Sequence, residues 1–241
     1  MQKLLKYLRK ADQDHQLIEQ NDKIAIGVSG GKDSMLLLKA LCEYRKFKHK
    51  NFDIIAIHLK MGFPNTDTIH IMNYCKQLNI SYYEQMVPIY DILKHYKKQD
   101  GRLDCSRCSN LKRGAIVRVA KQLHCTKIAF AHHGDDAVET FLLNAIYGGK
   151  LSTFQPKIYY EDNKISFIRP FIYMHEKDII SAVKRLDIPI VKSGCPQDGN
   201  SRRQDMKKLL MQFYKQFPES KTNLLNMLSN KKIDLWNKKV K

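Results

Sequence analysis

Four short apolar runs, each followed by a stretch of helical periodicity, constrain the fold of this chain more than any other feature. The runs are Lys23–Ser29 (KIAIGVS), Phe52–Leu59 (FDIIAIHL), Ser81–Val87 and Lys127–Ala131 (KIAFA). The interleaved helical stretches are Met35–Tyr44, Asp67–Leu78, Leu111–Leu123 and Ala137–Tyr147. Ser166–Arg169 reads as a fifth strand ahead of a helix over His175–Leu186. Apolar strands that alternate with helices imply a parallel sheet covered on both faces. The expected architecture is α/β, a doubly wound and mostly parallel five-stranded sheet with flanking N- and C-terminal helices. The N-terminal one is amphipathic and lies within residues 1–20, where Leu4, Leu8, Ala11, His15 and Ile18 recur at helical spacing. The main domain is expected over residues 21–217, with a basic tail over 218–241. Within it, Met206, Leu209, Leu210, Phe213 and Phe217 have the spacing of a helix packed on the core.

Charge and cysteines narrow the function classes. No apolar run approaches the roughly 20 residues of a membrane helix, and the N-terminus breaks into charge after two leucines, unlike a signal peptide. The expectation is a cytoplasmic protein with no membrane partner. Six cysteines without a secretory signal point to metal or catalysis rather than disulfides. The formal net charge is +18, and residues 92–127 and 202–241 each contribute a net +8. Charge concentrated in this way favours a polyanion, and nucleic acid is the expected one.

Three motifs fall at or near the carboxyl ends of expected strands, where ligands of such sheets collect. Gly27-Val28-Ser29-Gly30-Gly31-Lys32-Asp33-Ser34 joins the first strand to the first core helix. Its glycines bring backbone N–H groups close to an anion, the helix adds its positive end, and Lys32 adds a mobile charge. The spacing differs from a Walker A loop, which needs Ser or Thr directly after the Lys. Cys105-Ser106-Arg107-Cys108 is a CxxC placed before a basic helix. Alone it is open between a redox dithiol, a zinc half-site and an iron–sulfur site. Cys195, in a polar loop, is a third candidate thiolate, whereas Cys42, Cys75 and Cys125 read as buried inert thiols. Three thiolates suit either a zinc with a water or a cubane cluster with one open iron. The third motif, His132-His133-Gly134-Asp135-Asp136 with Glu139 a turn later, can hold Mg²⁺ through oxygen ligands or simply cap a helix.

The Ser29–Ser34 sequence SGGKDS resembles the signature of the PP-loop (N-type) ATP pyrophosphatases, which split ATP between its α and β phosphates and adenylate a substrate atom. Residues 105–156 further resemble the TtcA-type tRNA 2-thiocytidine synthetases, with CxxC, HHxDD…ET…N, YGG and a proline in order. Cys195 then stands at the family's spacing from Arg203-Gln204. The chain departs from the pattern at Lys192, where family members often carry another cysteine. The resemblance implies a 4Fe–4S cluster on Cys105, Cys108 and Cys195, and ATP on Ser29, Gly30, Gly31, Lys32, Asp33, Ser34, His58 and Asp136. It implies Mg²⁺ on Asp33, Asp135, Asp136 and Glu139, and catalytic roles for the three cysteines, Lys112, Asp135 and Asp136. His58 lies where the family contacts adenine through the backbone. The implied activity is ATP-dependent thiolation of an anticodon-loop cytidine, with tRNA, ATP and a sulfur donor such as a cysteine desulfurase as partners and a homodimer as a possible assembly. The alternatives are a 2-thiouridine-forming enzyme, a tRNA lysidine synthetase, which needs no cysteine trio, and a non-catalytic RNA-binding protein.

Overall fold

The computed structural model describes residues 1–64, 68–97, 101–199 and 201–230. Its strands are β1 (Asp22–Gly27), β2 (Phe52–Lys60), β3 (Ser81–Met86), β4 (Lys127–Ala129), β5 (Lys157–Tyr160) and β6 (Ile165–Ile168). Its helices are α1 (Gln2–His15), α2 (Lys32–Tyr44), α3 (Ile69–Gln77), α4 (Ile89–His95), α5 (Cys105–Gln122), α6 (Gly134–Gly148), α7 (Glu176–Arg185), α8 (Arg202–Gln216) and α9 (Ser220–Met227). No helix among the described residues is long and apolar enough to cross a membrane.

The strands form one sheet in the order β3-β2-β1-β4-β6-β5, parallel throughout except for the β5–β6 pair. Six strands stand where five were expected. The extra one, β5, carries Lys157 and two tyrosines, all but one half-buried, so it has neither an apolar run nor a clean alternation. It exists because β6 offers it an edge, an antiparallel pairing from Lys157↔Ile168 to Tyr160↔Ile165.

The strand order reverses between β1 and β4. From β1 to β3 each crossover steps one way; the next, through α5, steps back across β1 to β4. Because crossovers are right-handed, that reversal moves the helix to the opposite face. One face is accordingly sealed by α5, whose Ile116, Val119 and Ala120 pack on Ala25, Ile55, Ile57, Ile128 and Phe167. Helix α2 is almost wholly buried, with Leu36, Leu37, Leu38 and Leu41 fully covered, and it packs against β1, β2, α1 and α7. The carboxyl ends of β1 and β4 therefore flank the switch point at which such sheets bind ligands.

The chain divides into two compact units, residues 1–134 with 155–201, and residues 135–154 with 202–241. The first holds the sheet. The second has its own core of Val138, Met206 and Leu210, joined by Leu142, Tyr214 and Leu224. In α8 only Met206 and Leu210 are buried, while Leu209, Phe213 and Phe217 are exposed. Their helical spacing therefore marks a helix, but not a fully packed one. Asp67, the expected first residue of α3, and residues 231–241 of the basic tail lie outside the described residues.

At the amino ends of β1 and β4, Lys127 is only 4% exposed and pairs with buried Asp22 at 2.7 Å and with exposed Glu19 at 3.2 Å. Removing one partner of a buried ion pair leaves an uncompensated charge and costs about 3–5 kcal/mol. Asp22→Ala is expected to lower unfolding stability by about 3 kcal/mol, read as a shift in the urea midpoint at unchanged m-value.

Candidate functional site

The phosphate loop is organised by two hydroxyls and one left-handed glycine. Ser34 Oγ donates to the Gly31 carbonyl at 3.0 Å and accepts from the Ser29 N–H at 3.2 Å, and the two serine hydroxyls lie 3.2 Å apart. Gly30 has φ +85°, and a Cβ there would sit 2.9 Å from Val191 Cβ and 3.1 Å from Ile71 Cδ1. Its carbonyl accepts from the Val191 N–H at 2.9 Å. Helix α2 begins at Lys32 with Gly31 as its cap, so the lysine rises from the helix's positive end.

Lys32 Nζ lies 3.0 Å from Asp33 Oδ2 and 3.1 Å from Glu176 Oε1. Burial works against its charge, but the two carboxylates more than offset this and raise its pKa. Asp33 Oδ1 is buried with no hydrogen-bond partner, an anionic oxygen suited to a hard cation. His58 is 3% exposed, and its Nδ1 lies 2.7 Å from the Val28 carbonyl. A carbonyl can only accept, so Nδ1 carries the proton and the ring braces the entry to the loop. The side chain thus acts at the site even though only its backbone was expected to.

The segment that carries Cys195 reaches the start of α5, where the CxxC lies. The CxxC lies in the first turn of α5 rather than ahead of a helix, because Asp104 caps that turn by accepting from the Ser106 and Arg107 N–H groups at 2.9 and 3.1 Å. Cys105 is exposed; Cys108 packs on the apolar cluster of Leu93, Leu103 and Ala115. The Gln197 side chain comes within 3.4 Å of Cys105 Sγ. Its amide is best satisfied by donating to the Leu103 carbonyl at 3.0 Å and accepting from the Leu103 N–H at 2.8 Å. Val191 touches the phosphate loop and Gln197 touches the start of α5. Six residues of chain bridge at most about 20 Å, so Cys195, between them, is confined to the gap.

Electrostatics agree with that proximity. Burial pushes the Cys108 thiol up; Lys112, one turn along α5, pulls it down, and Cys195 and Cys105 push it up again. Among the described residues no group of three or more His, Cys, Asp or Glu is arranged to hold a metal ion, the trio Cys105, Cys108 and Cys195 included. Cys42, Cys75 and Cys125 are buried as expected, and burial pushes Cys75 up to about 12 and Cys125 to about 11.

In the second unit, Asp135 and Asp136 occupy the first turn of α6 and Glu139 the next. Lys221 lies 3.3 Å from Asp135, and Arg203 lies 3.4 Å from Glu139 and 3.8 Å from Asp136 while donating to the Thr140 hydroxyl at 3.0 Å. Burial, then the Asp136 charge, pushes Glu139 up to about 7. Asn144 donates to the Ser152 carbonyl at 2.9 Å and so holds the loop after α6. Sequence reasoning named the carboxylates but neither their cationic partners nor Glu176. A paired Arg-Gln at 203–204 was the only available signal.

A PP-loop domain model matches residues 2–213. The tRNA-cytidine(32) 2-sulfurtransferase of Paraburkholderia phytofirmans is 38% identical over 229 residues, covering 95% of this chain and 68% of that protein. Its counterpart in Burkholderia cenocepacia is 36% identical over 228 residues, 94% and 69% of the two chains. The chain belongs to the PP-loop family, among the tRNA-cytidine 2-sulfurtransferases. The solved U34-tRNA thiolase NcsA of Methanococcus maripaludis, with its 4Fe-4S cluster, shares the fold at a TM-score of 0.74 and 24% identity over 93% of this chain and 76% of that one. The NH3-dependent NAD synthetase of Campylobacter jejuni matches at 0.50 and 17% identity over 95% and 92%. At Gly30 a side chain would collide with Val191 and Ile71, and the loop backbone is left-handed. Gly30→Ala is expected to weaken ATP binding at least tenfold while leaving the thermal midpoint within a few degrees, checked by calorimetric titration and melting.

Proposed function

We infer that this chain is an ATP-dependent tRNA sulfurtransferase that converts an anticodon-loop cytidine to 2-thiocytidine. The observation that carries the reading is the segment 191–197, which runs from Gly30 of the phosphate loop to Leu103 and Cys105 at the start of α5 and carries Cys195 between them. The related sulfurtransferases are named for this activity on cytidine 32.

The C2 oxygen of the base attacks the α-phosphorus of ATP and pyrophosphate leaves. That converts a poor leaving group into AMP. Sulfide then adds at C2 and AMP departs with the original oxygen, so oxygen is exchanged for sulfur with no net redox change. The loop N–H groups and Lys32 neutralise charge as the pyrophosphate separates, and Asp33, whose Oδ1 has no hydrogen-bond partner, would hold a Mg²⁺ that supplies further positive charge there. A 4Fe–4S cluster on Cys105, Cys108 and Cys195 would supply an open iron as the binding point for sulfide. Lys112, beside Cys108, is placed to hold the anionic sulfur or to donate a proton near it. Asp135 and Asp136, within the second unit and paired with Lys221 and Arg203, are carboxylates that would hold a Mg²⁺ of their own. The basic residues of 92–127 and α8 hold the RNA backbone, a cysteine desulfurase supplies persulfide sulfur that a two-electron thiol reductant releases as sulfide, and the setting is the cytoplasm.

Mass spectrometry of tRNA nucleosides from a deletion strain tests the reading. Loss of 2-thiocytidine, restored by the intact gene but not by Cys195→Ser, is expected; unchanged 2-thiocytidine would refute it. Anaerobically purified protein should be brown, and Cys195→Ser should lose most of the visible absorbance while keeping its fold.

A further inference from the structure

Glu176 has no place in the sequence motifs, yet it is bonded to the one mobile cation of the phosphate loop. It is the first residue of α7, and its Oε1 lies 3.1 Å from Lys32 Nζ, with the carboxyl 16% exposed and the lysine 29% exposed. The helix that carries it is firmly seated, since Ile179 and Ala182 are buried and α7 packs along α2, the helix that Lys32 begins. The turn just before it is fixed as well. Phe171 is fully buried, and the Met174 carbonyl accepts from the N–H of Gly134 at 2.9 Å, at the end of the loop that follows β4. One rigid turn therefore bonds both loops at the switch point.

We propose that Glu176 is a positioning residue for ATP, which holds Lys32 extended in the orientation that receives a phosphate. Without it, Lys32 has Asp33 as its single carboxylate neighbour in this pair of contacts, one residue away and 3.0 Å from Nζ. The ammonium would fold down onto Asp33. That would remove the cation from the phosphates and, at the same time, neutralise the carboxylate whose Oδ1 is left without a partner. Sharing Lys32 between two carboxylates keeps both useful. It also settles in advance the rotamer freedom of a four-carbon side chain, which otherwise must be lost when the nucleotide binds. This proposal rests on the reading of Gly30–Ser34 as an ATP loop, but not on the identity of the acceptor.

The test is a thermodynamic cycle on the full chain, titrated by calorimetry with Mg²⁺ and an ATP analogue bearing a methylene between its α and β phosphorus atoms, which cannot be cleaved there. Glu176→Ala is expected to weaken binding about tenfold, and Glu176→Gln, which keeps the acceptor oxygen, about threefold. In a Lys32→Ala background the Glu176→Ala change should add less than twofold, because the residue it positions is gone. Equal losses in the two backgrounds would show a merely structural role and overturn the proposal, as would wild-type affinity in Glu176→Ala. Failure of the parent chain to bind the analogue would instead refute the ATP-loop reading. Unchanged melting midpoints in the single variants verify that folding is not what is being measured.

Discussion

The approach of Val191 to Gly30 is the contact on which the site depends. A left-handed backbone at Gly30, with no side chain to hold the neighbour off, lets residue 191 bond to the loop carbonyl. That bond fixes one end of an irregular segment; Gln197 fixes the other against Leu103. Cys195 is thereby placed by two anchors rather than by any regular element of its own. The nucleotide loop and the thiols are thus positioned by the same few backbone bonds, and a change at one is felt at the other.

Electrostatic frustration runs through the site. Lys32 sits between two carboxylates, Cys108 lies within electrostatic reach of Cys105, Cys195 and Lys112, and in the second unit burial and then Asp136 push Glu139 up to about 7. Each arrangement is tolerable in the free protein but becomes better balanced when a cation or polyanion arrives. Perturbed groups gathered in this way mark functional places rather than stabilising ones.

Much of the framework was legible because β1, β2 and β4 are short and buried over most of their length. Runs such as KIAIGVS and FDIIAIHL can be little else when helices separate them. β5 was not, since its tyrosines and lysine gain their order from pairing with β6. The start of α5 was not, because Asp104 acts as a cap only once the chain on either side of it is known. At the site, glycine, lysine and cysteine patterns named the chemistry. Glu176 was invisible, lying well over a hundred residues from Lys32 in an unremarkable HEKD stretch. Only tertiary folding reveals that kind of partner. Leu209, Phe213 and Phe217 show the opposite error, where helical spacing was taken to mean burial.

The second unit is assembled from two stretches of chain, with β5, β6 and α7 threaded between them. Val138 cannot meet Met206 and Leu210 until everything in between has been synthesised. During translation, α6 therefore emerges with its inward face bare, long before its covering arrives. Contacts so distant in sequence are slow to form, so the second unit closes only after the rest of the chain between its two stretches is in place.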